Sequence, residues 1–461
     1  MRRFAVLVVL AAAAALLPAA PALAIAPSLA APSLAAPSLA APTMATAADC
    51  PSSGGVRVPP AATTSRDFTI RGKGWGHGVG MSQYGALGAA RLGCSAKQIL
   101  RTYYTGVTIA TQAQPRYIRV GLTFDSPVSN VAGARSIDAT VGDIPWQLCG
   151  AGGCQRVATQ RQGSRWQVRI GPKGGYGLWE GDTRRWHGGG KFTLLRAVLT
   201  TSHSASRIIS IPANGHSYKW GVLEFDSYVD AGSGRAYVNL AIRSIERYLR
   251  GLSEMPSSWE PAALRAQAIV GRAYALNKRA NLGLRSSCRC HLWDSPTDQH
   301  YTGWDKESEG FGATYGRRWV AAVDKTASRI MHDSAGGIAV GYYSSSHGGA
   351  SASSAFTWGG EVSYLQSIDD SNWEMHSDNP NRSWSVGISD VGLGSKFGVG
   401  RATSVTLPKP RGRGGRVGRV EAGYGGVVIQ GTEGRVVVSG STFKTVLGLR
   451  STLFHVVERD A

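Results

Sequence analysis

Two stretches of this chain carry residue types that could do chemistry. The first is Glu254, in Leu252-Ser253-Glu254-Met255-Pro256, directly before a strongly helical run. Beside Met255 and Trp259 its carboxyl would lie in a partly apolar pocket, where burial raises a carboxyl pKa and fits the group to donate a proton. The positive end of the following helix pulls the other way. Taken alone, the residue reads first as an acid that stabilises a helix start. The second stretch runs from Gly72 to Ala86, with glycine at every second position as far as Gly80. An extended backbone there would present one bare face and one carrying Lys73, Trp75, His77 and Val79. Interior glycines weaken a strand, and they persist where another backbone or a ligand approaches closely. An aromatic ring and an imidazole beside such a surface suit sugar binding or catalysis. In a chain with 60 glycines, an ordinary loop would look the same. A nucleotide site is disfavoured, because no Gly-Lys-Ser/Thr and no suitably spaced acid follow. Ser346-His347 invites a hydrolase reading, but no Gly-x-Ser-x-Gly elbow surrounds the serines.

The elements that must position these groups are legible in outline. Ser257-Ser258-Trp259-Glu260 reads as a capping box with Pro261 in the first turn, opening a helix from Ala262 to about Ala280. Leu264, Ala268, Gly271 and Ala275 form one stripe of it, with Gln267, Val270 and Tyr274 alongside, so the helix should be buried on more than one side. Gln267 and Arg272 on such a helix need hydrogen-bond partners, which structural networks supply more often than substrates. A second capping box, Ser95-Ala96-Lys97-Gln98, opens a short helix to about Tyr104. Between Arg116 and Val229, alternating runs at Tyr117–Leu122, Trp166–Ile170 and Phe192–Val198 predict a β-rich module. Residues 383–457 read as strands and a short helix, and the Arg411–Arg419 run as a solvated loop or hairpin.

The N-terminus points to export. Met1-Arg2-Arg3-Phe4, an apolar stretch over residues 5–17 and Ala22-Leu23-Ala24 have the form of a signal peptide, with a retained signal anchor as the alternative. Ala-Pro-Ser-Leu-Ala then repeats at 26–30, 31–35 and 36–40, a spacer without a packing period. The formal charge of +20 suits anionic envelope polymers better than nucleic acid in an exported protein. Six cysteines fall as Cys50 and Cys94, Cys149 and Cys154, Cys288 and Cys290. Small-loop closure at Cys149–Cys154 and a Cys50–Cys94 link are natural disulfides for that compartment. Cys288-Arg289-Cys290-His291 stays open between a strained disulfide or free thiols, which are favoured, and three zinc ligands.

Several motifs together identify a family. Gly76-His77-Gly78-Val79-Gly80-Met81-Ser82-Gln83-Tyr84-Gly85-Ala86, Tyr248-Leu249-Arg250-Gly251 leading to Glu254-Met255-Pro256, Ala266-Gln267-Ala268, Arg272-Ala273-Tyr274-Ala275 and Leu447-Gly448-Leu449-Arg450-Ser451-Thr452 resemble the stage II sporulation protein D (SpoIID)/LytB family. The second member is known as an amidase enhancer. The likeness spans most of residues 70–457 and implies an α+β fold: a mixed, β-rich core with a few helices plus a small β module. The implied division is signal peptide 1–24, Ala/Pro-rich linker 25–49, a motif segment 50–110 completing the core, β-rich module 116–215, catalytic region 216–378 and a C-terminal part 379–461. The resemblance also implies lytic cleavage of peptidoglycan glycan strands stripped of stem peptides, and it moves Glu254 from helix-start acid to general acid/base. His77, Ser82, Gln83, Gln267 and Arg272 would shape the groove, with Tyr343, Tyr364, Asp369 and Asp370 as further substrate contacts. No cofactor is expected; zinc at Cys288, Cys290 and His291 is the alternative. A noncatalytic wall binder that stimulates an amidase is the competing class, and a zinc amidase a weaker third. Departures are Ala273 for the usual Thr and His347 for the usual Cys or Asn. The glycine motif precedes the other motifs instead of following Leu447–Thr452, which implies a circular permutation.

Overall fold

The structure is a computed structural model that describes residues 67–458 except 191, 202–204, 231–234, 408, 410 and 419–425. The signal peptide, the repeat spacer and Cys50 lie outside the described residues. About 25% of the described residues are helical and 36% are in strands, an α+β fold.

Two sheets form a sandwich over residues 117–243, antiparallel except where Leu292–Trp293 adds a parallel edge strand beside Tyr117–Gly121 in the larger one. The six-stranded sheet runs in the order Thr183–Gly188, Tyr176–Glu180, Arg165–Ile170, Arg135–Val141, Ile208–Ile211, His216–Tyr218. The larger sheet contains Tyr117–Gly121, Arg235–Arg243, Val222–Asp230, Leu194–Val198, Ile144–Gly150 and Gly153–Gln160. Alternation works as expected: Ile137, Ala139, Trp166, Val168 and Leu178 point inward and are buried, whereas Ser136, Asp138 and Gln167 point outward. Polar bonds also tie the layers together. Tyr176 donates its hydroxyl to the carbonyls of Thr193 (2.8 Å) and Phe225 (3.0 Å). Gln160 donates to the Ile137 carbonyl at 2.8 Å. The predicted strands are present, and the sandwich continues through Arg243.

The helical layer is built around Pro261–Leu282, the longest helix, which buries Ala263 to Leu276 almost without interruption. Its N-cap is Glu260 and makes no side-chain capping bond, so the expected capping box is absent. Ser257 instead donates its hydroxyl to Glu309 at 2.6 Å. The Ser95 box is present and opens Ala96–Tyr103. A separate small core holds Phe68, Ile70, Leu393, Val427, Ile429, Phe443 and Phe454. There Asp67–Gly72 is the central strand between Trp384–Ser389 and Phe454–Glu458. The C-terminal part contains two described helices longer than a turn, Asp390–Phe397 and Gly440–Leu447, where one was expected.

The glycine motif is not the extended strand its alternation suggested. The strand ends at Gly72, and Gly74, Gly76, Gly78 and Gly80 have φ of +79°, +111°, +80° and +76°. Those values lie in the left-handed region, which only glycine adopts freely. The close approach is nevertheless real. A Cβ on Gly80 would sit 2.0 Å from the Tyr342 carbonyl oxygen, and one on Gly76 would sit 2.6 Å from Ser344 Cβ. The motif also joins the chain's far end. Lys73 N donates to Leu453 O (3.0 Å), Gly76 N to Arg450 O (2.9 Å) and Ser451 Oγ to Lys73 O (2.5 Å). Arg416, expected in a solvated run, is fully buried under this motif and donates to the carbonyls of His347 (2.5 Å) and Ala350 (2.8 Å).

Candidate active site

Glu254 sits in the short turn between the helix Ile245–Arg250 and the long helix. Two glycines let that turn pack tightly. A Cβ on Gly251 would fall 2.5 Å from the Tyr301 ring, and one on Gly271 would fall 2.7 Å from Leu252. The segment Gln299–Gly303 therefore lies alongside, with Tyr301 stacked on Tyr248 at 5.2 Å. Ser253 N donates to His300 O at 2.8 Å, and His300 N returns a bond of 2.6 Å to Glu254 Oε1. Tyr343 adds a hydroxyl bond to the same carboxyl. Burial raises the Glu254 pKa from 4.5 to about 7, while the His300 amide, the Tyr343 hydroxyl and the Lys306 charge oppose the rise. Desolvation outweighs all three, so near neutral pH the group can both hold and release a proton.

The surroundings fix this carboxyl in place. Lys306 Nζ donates to Met255 O (2.6 Å) and to Glu309 (2.6 Å), which also accepts from Ser257, clamping the turn from below. Tyr343 accepts at its hydroxyl from Gln299 Nε2 (3.2 Å), and Gln299 Oε1 accepts from Tyr248 (2.9 Å). Gln83 Nε2 donates to the Glu254 backbone carbonyl (2.8 Å) and to Gln267 Oε1 (3.4 Å). Gln267 is wholly buried, and its Nε2 has no partner among the described residues. Aromatic rings extend the site: His77 lies 5.2 Å from Trp358, which lies 4.7 Å from Tyr342, and Tyr274 touches both Tyr342 (6.0 Å) and Tyr343 (6.4 Å). His77 Nδ1 accepts from Val79 N at 3.0 Å, and burial together with the neighbouring His347, Lys444 and Arg416 lowers its pKa to about 3. It is a neutral imidazole at any ordinary pH.

Of the sequence-derived residues, Gln83, Gln267 and Tyr343 surround Glu254, and His77 reaches the same region through the backbone of Tyr343. Five others are engaged elsewhere. Arg272 is fully buried and pairs with Glu246 through Nε (3.1 Å) and Nη2 (2.5 Å), leaving no donor for a groove. Ser82 is buried as the N-cap of Gln83–Arg91, accepting from Gly85 N (3.0 Å) and donating to Glu374. Asp370 is 3% exposed and accepts from Tyr103 (3.0 Å) and His347 (2.9 Å). Tyr364 accepts at its hydroxyl from Val340 N (2.8 Å) and is buried. Asp369 is exposed, and its carboxyl accepts from Ser371 N (2.9 Å). The Cys288, Cys290 and His291 set does not fit zinc as folded. The two sulfurs are bonded to each other, and His291 Nδ1 accepts from Arg119 N at 2.9 Å. Cys149–Cys154 is also a disulfide.

Sequence reading missed His300, Gln299, Tyr248, Lys306 and Glu309. A backbone N–H, such as that of His300, as the partner of Glu254 leaves no side-chain signature. The Lys306–Glu309 clamp had no local signal at all.

Residues 236–332, which include Glu254, His300 and the long helix, match the model of the SpoIID family, stage II sporulation protein. The amidase enhancer of Bacillus subtilis (strain 168) is 54% identical over 44 residues, 10% of this chain and 6% of that protein. Stage II sporulation protein D of Bacillus amyloliquefaciens is 57% identical over 43 residues, 9% of this chain and 12% of that protein. The chain thus matches only a small part of the length of either relative. No described helix is long and apolar enough to cross a membrane. The segment that carries the Glu254 turn is thus similar to the SpoIID family, and the chain to the amidase enhancer and stage II sporulation protein D relatives.

Proposed function

We propose that this protein is an exported lytic transglycosylase that cleaves peptidoglycan glycan strands, with Glu254 as its single general acid/base. The observation that carries this reading is the Glu254 carboxyl, held by His300 N–H and Tyr343 with a pKa of about 7. Protonated, it gives its proton to the glycosidic oxygen as the bond from muramic C1 breaks. As carboxylate, it then takes the proton of that sugar's 6-hydroxyl while O6 closes on C1, and the acid is restored. No water is consumed, so no second carboxylate is required, unlike hydrolysis. The neighbouring acids are committed elsewhere: Glu309 to Lys306, Asp298 to Arg285 and Asp305 to His216. The partly exposed rings of Tyr342 and Trp358, 4.7 Å apart, supply apolar faces of the kind a sugar uses.

Export would use residues 1–24 as signal peptide, and the motif's place at the front of the chain would be a circular permutation, consistent with its bonds to Arg450 and Leu453. The name of the Bacillus subtilis relative favours a second reading, in which the protein stimulates a wall amidase. Incubating the protein and Glu254→Gln with peptide-free glycan strands separates the two. Anhydro-ended fragments from the wild type alone support the transglycosylase; no fragments from either, with amidase stimulation by both, support the enhancer.

A further inference from the structure

A cavity of about 720 Å³ opens between the Asp67–Gly72, Trp384–Ser389, Phe454–Glu458 sheet and the loops at 348–350 and 411–415. That volume is typical of a ligand site. None of the residues around Glu254 lines it. Its lining holds Arg71, Lys73, Arg411 and His455 and no aspartate or glutamate, against an apolar wall that includes Trp384 and Phe454. Arg71 stands directly opposite His455 across the two strands. That register brings two nitrogen-bearing side chains to the same edge of the cavity. Lys73 follows on the same chain, and neither it nor Arg71 forms an ion pair among the described residues.

We propose that this cavity binds the carboxylate-bearing stem peptide of peptidoglycan. The inference rests on the wall reading above but uses no part of the Glu254 site. A stem places several carboxylates between small methyl groups, matching a cationic rim over an apolar wall. Peptide-free glycan is mostly neutral hydroxyl, and a polyphosphodiester brings nothing apolar for Trp384 and Phe454. Because the cations are exposed, binding should weaken as salt is raised.

The test is calorimetric titration of the full chain with stem tetrapeptide released from its glycan. Wild type and Glu254→Gln should bind it equally. Arg71→Gln/Lys73→Gln should bind at least tenfold more weakly, as should wild type offered a stem whose carboxylates are amidated. The double variant should cleave peptide-free glycan like the wild type. Arg411→Gln, on the facing loop, provides an independent variant should the double variant fold poorly. The proposal is overturned by absence of saturable binding, by equal affinity for the amidated stem, by variants with unchanged affinity, or by orthophosphate binding as tightly as the peptide. Since the readout is binding, a failure of glycan cleavage would count against the transglycosylase alone.

Discussion

Replacing Glu254 with glutamine should make the protein more stable, and more so the higher the pH. The carboxyl titrates near 4.5 when unfolded and at about 7 when folded. Between those values the folded protein binds the extra proton, so this group's contribution is complete below 4.5 and is lost as pH rises through 7. At 1.36 kcal/mol per unit the loss approaches about 3 kcal/mol by pH 8.5, an upper bound for a half-buried group. Glutamine keeps an acceptor for His300 N–H and has no charge to desolvate. Thermal unfolding of wild type and Glu254→Gln, run in parallel from pH 4 to 8.5, should give melting points whose difference is constant below pH 4.5. The variant should then pull ahead by several degrees above pH 7. Other titrations are common to both proteins and cancel in the difference. The cleavage rate of the wild type should fall above pH 7, in step with the same ionisation. A pH-independent gap, or a wild type that gains on the variant as pH rises, would refute a desolvated acid at this position.

Four further outcomes follow from the same geometry. Tyr343→Phe removes a hydrogen bond that favours the Glu254 carboxylate, so the alkaline limb of the pH–rate profile should move upward. Arg272→Leu leaves Glu246 without its buried partner and should cost about 3–5 kcal/mol in denaturant titration, with cleavage per folded molecule unchanged. Gly80→Ala drives a Cβ to 2.0 Å from the Tyr342 oxygen at φ +76° and should cost roughly 3 kcal/mol or more, read as lost soluble yield and a lowered melting point. His77, His291 and His300 have pKa values lowered by burial to about 3, 4 and 4. The unfolded chain takes up protons first, so stability should fall as pH drops below about 6.5 towards 4, measured by thermal melts of Glu254→Gln so that the acid does not contribute.

Local chemistry in the sequence was enough to specify the long helix, the Ser95 cap and the strands of the sandwich, because periodicity and capping are short-range signals; by local chemistry alone Glu254 read as a helix-start acid, and only the family resemblance singled it out. The same locality explains its errors. Alternating glycines from Gly72 to Gly80 describe a bare surface equally well as a strand or as a series of left-handed residues, and only the backbones of Tyr342–His347 packed against them select the second. Arg272, Ser82 and Asp370 are polar residues in a matching motif, and nothing local says whether such groups face a ligand or one another. Tertiary structure decides it, since a buried charge or hydroxyl must be paired, and Glu246, Glu374 and His347 arrive from distant parts of the chain. The Glu254 pKa belongs to the same class of fact: the sequence supplies the carboxyl, but the desolvation that carries it to neutrality exists only once Gln299–Gly303, Tyr343 and Gln83 have closed around it.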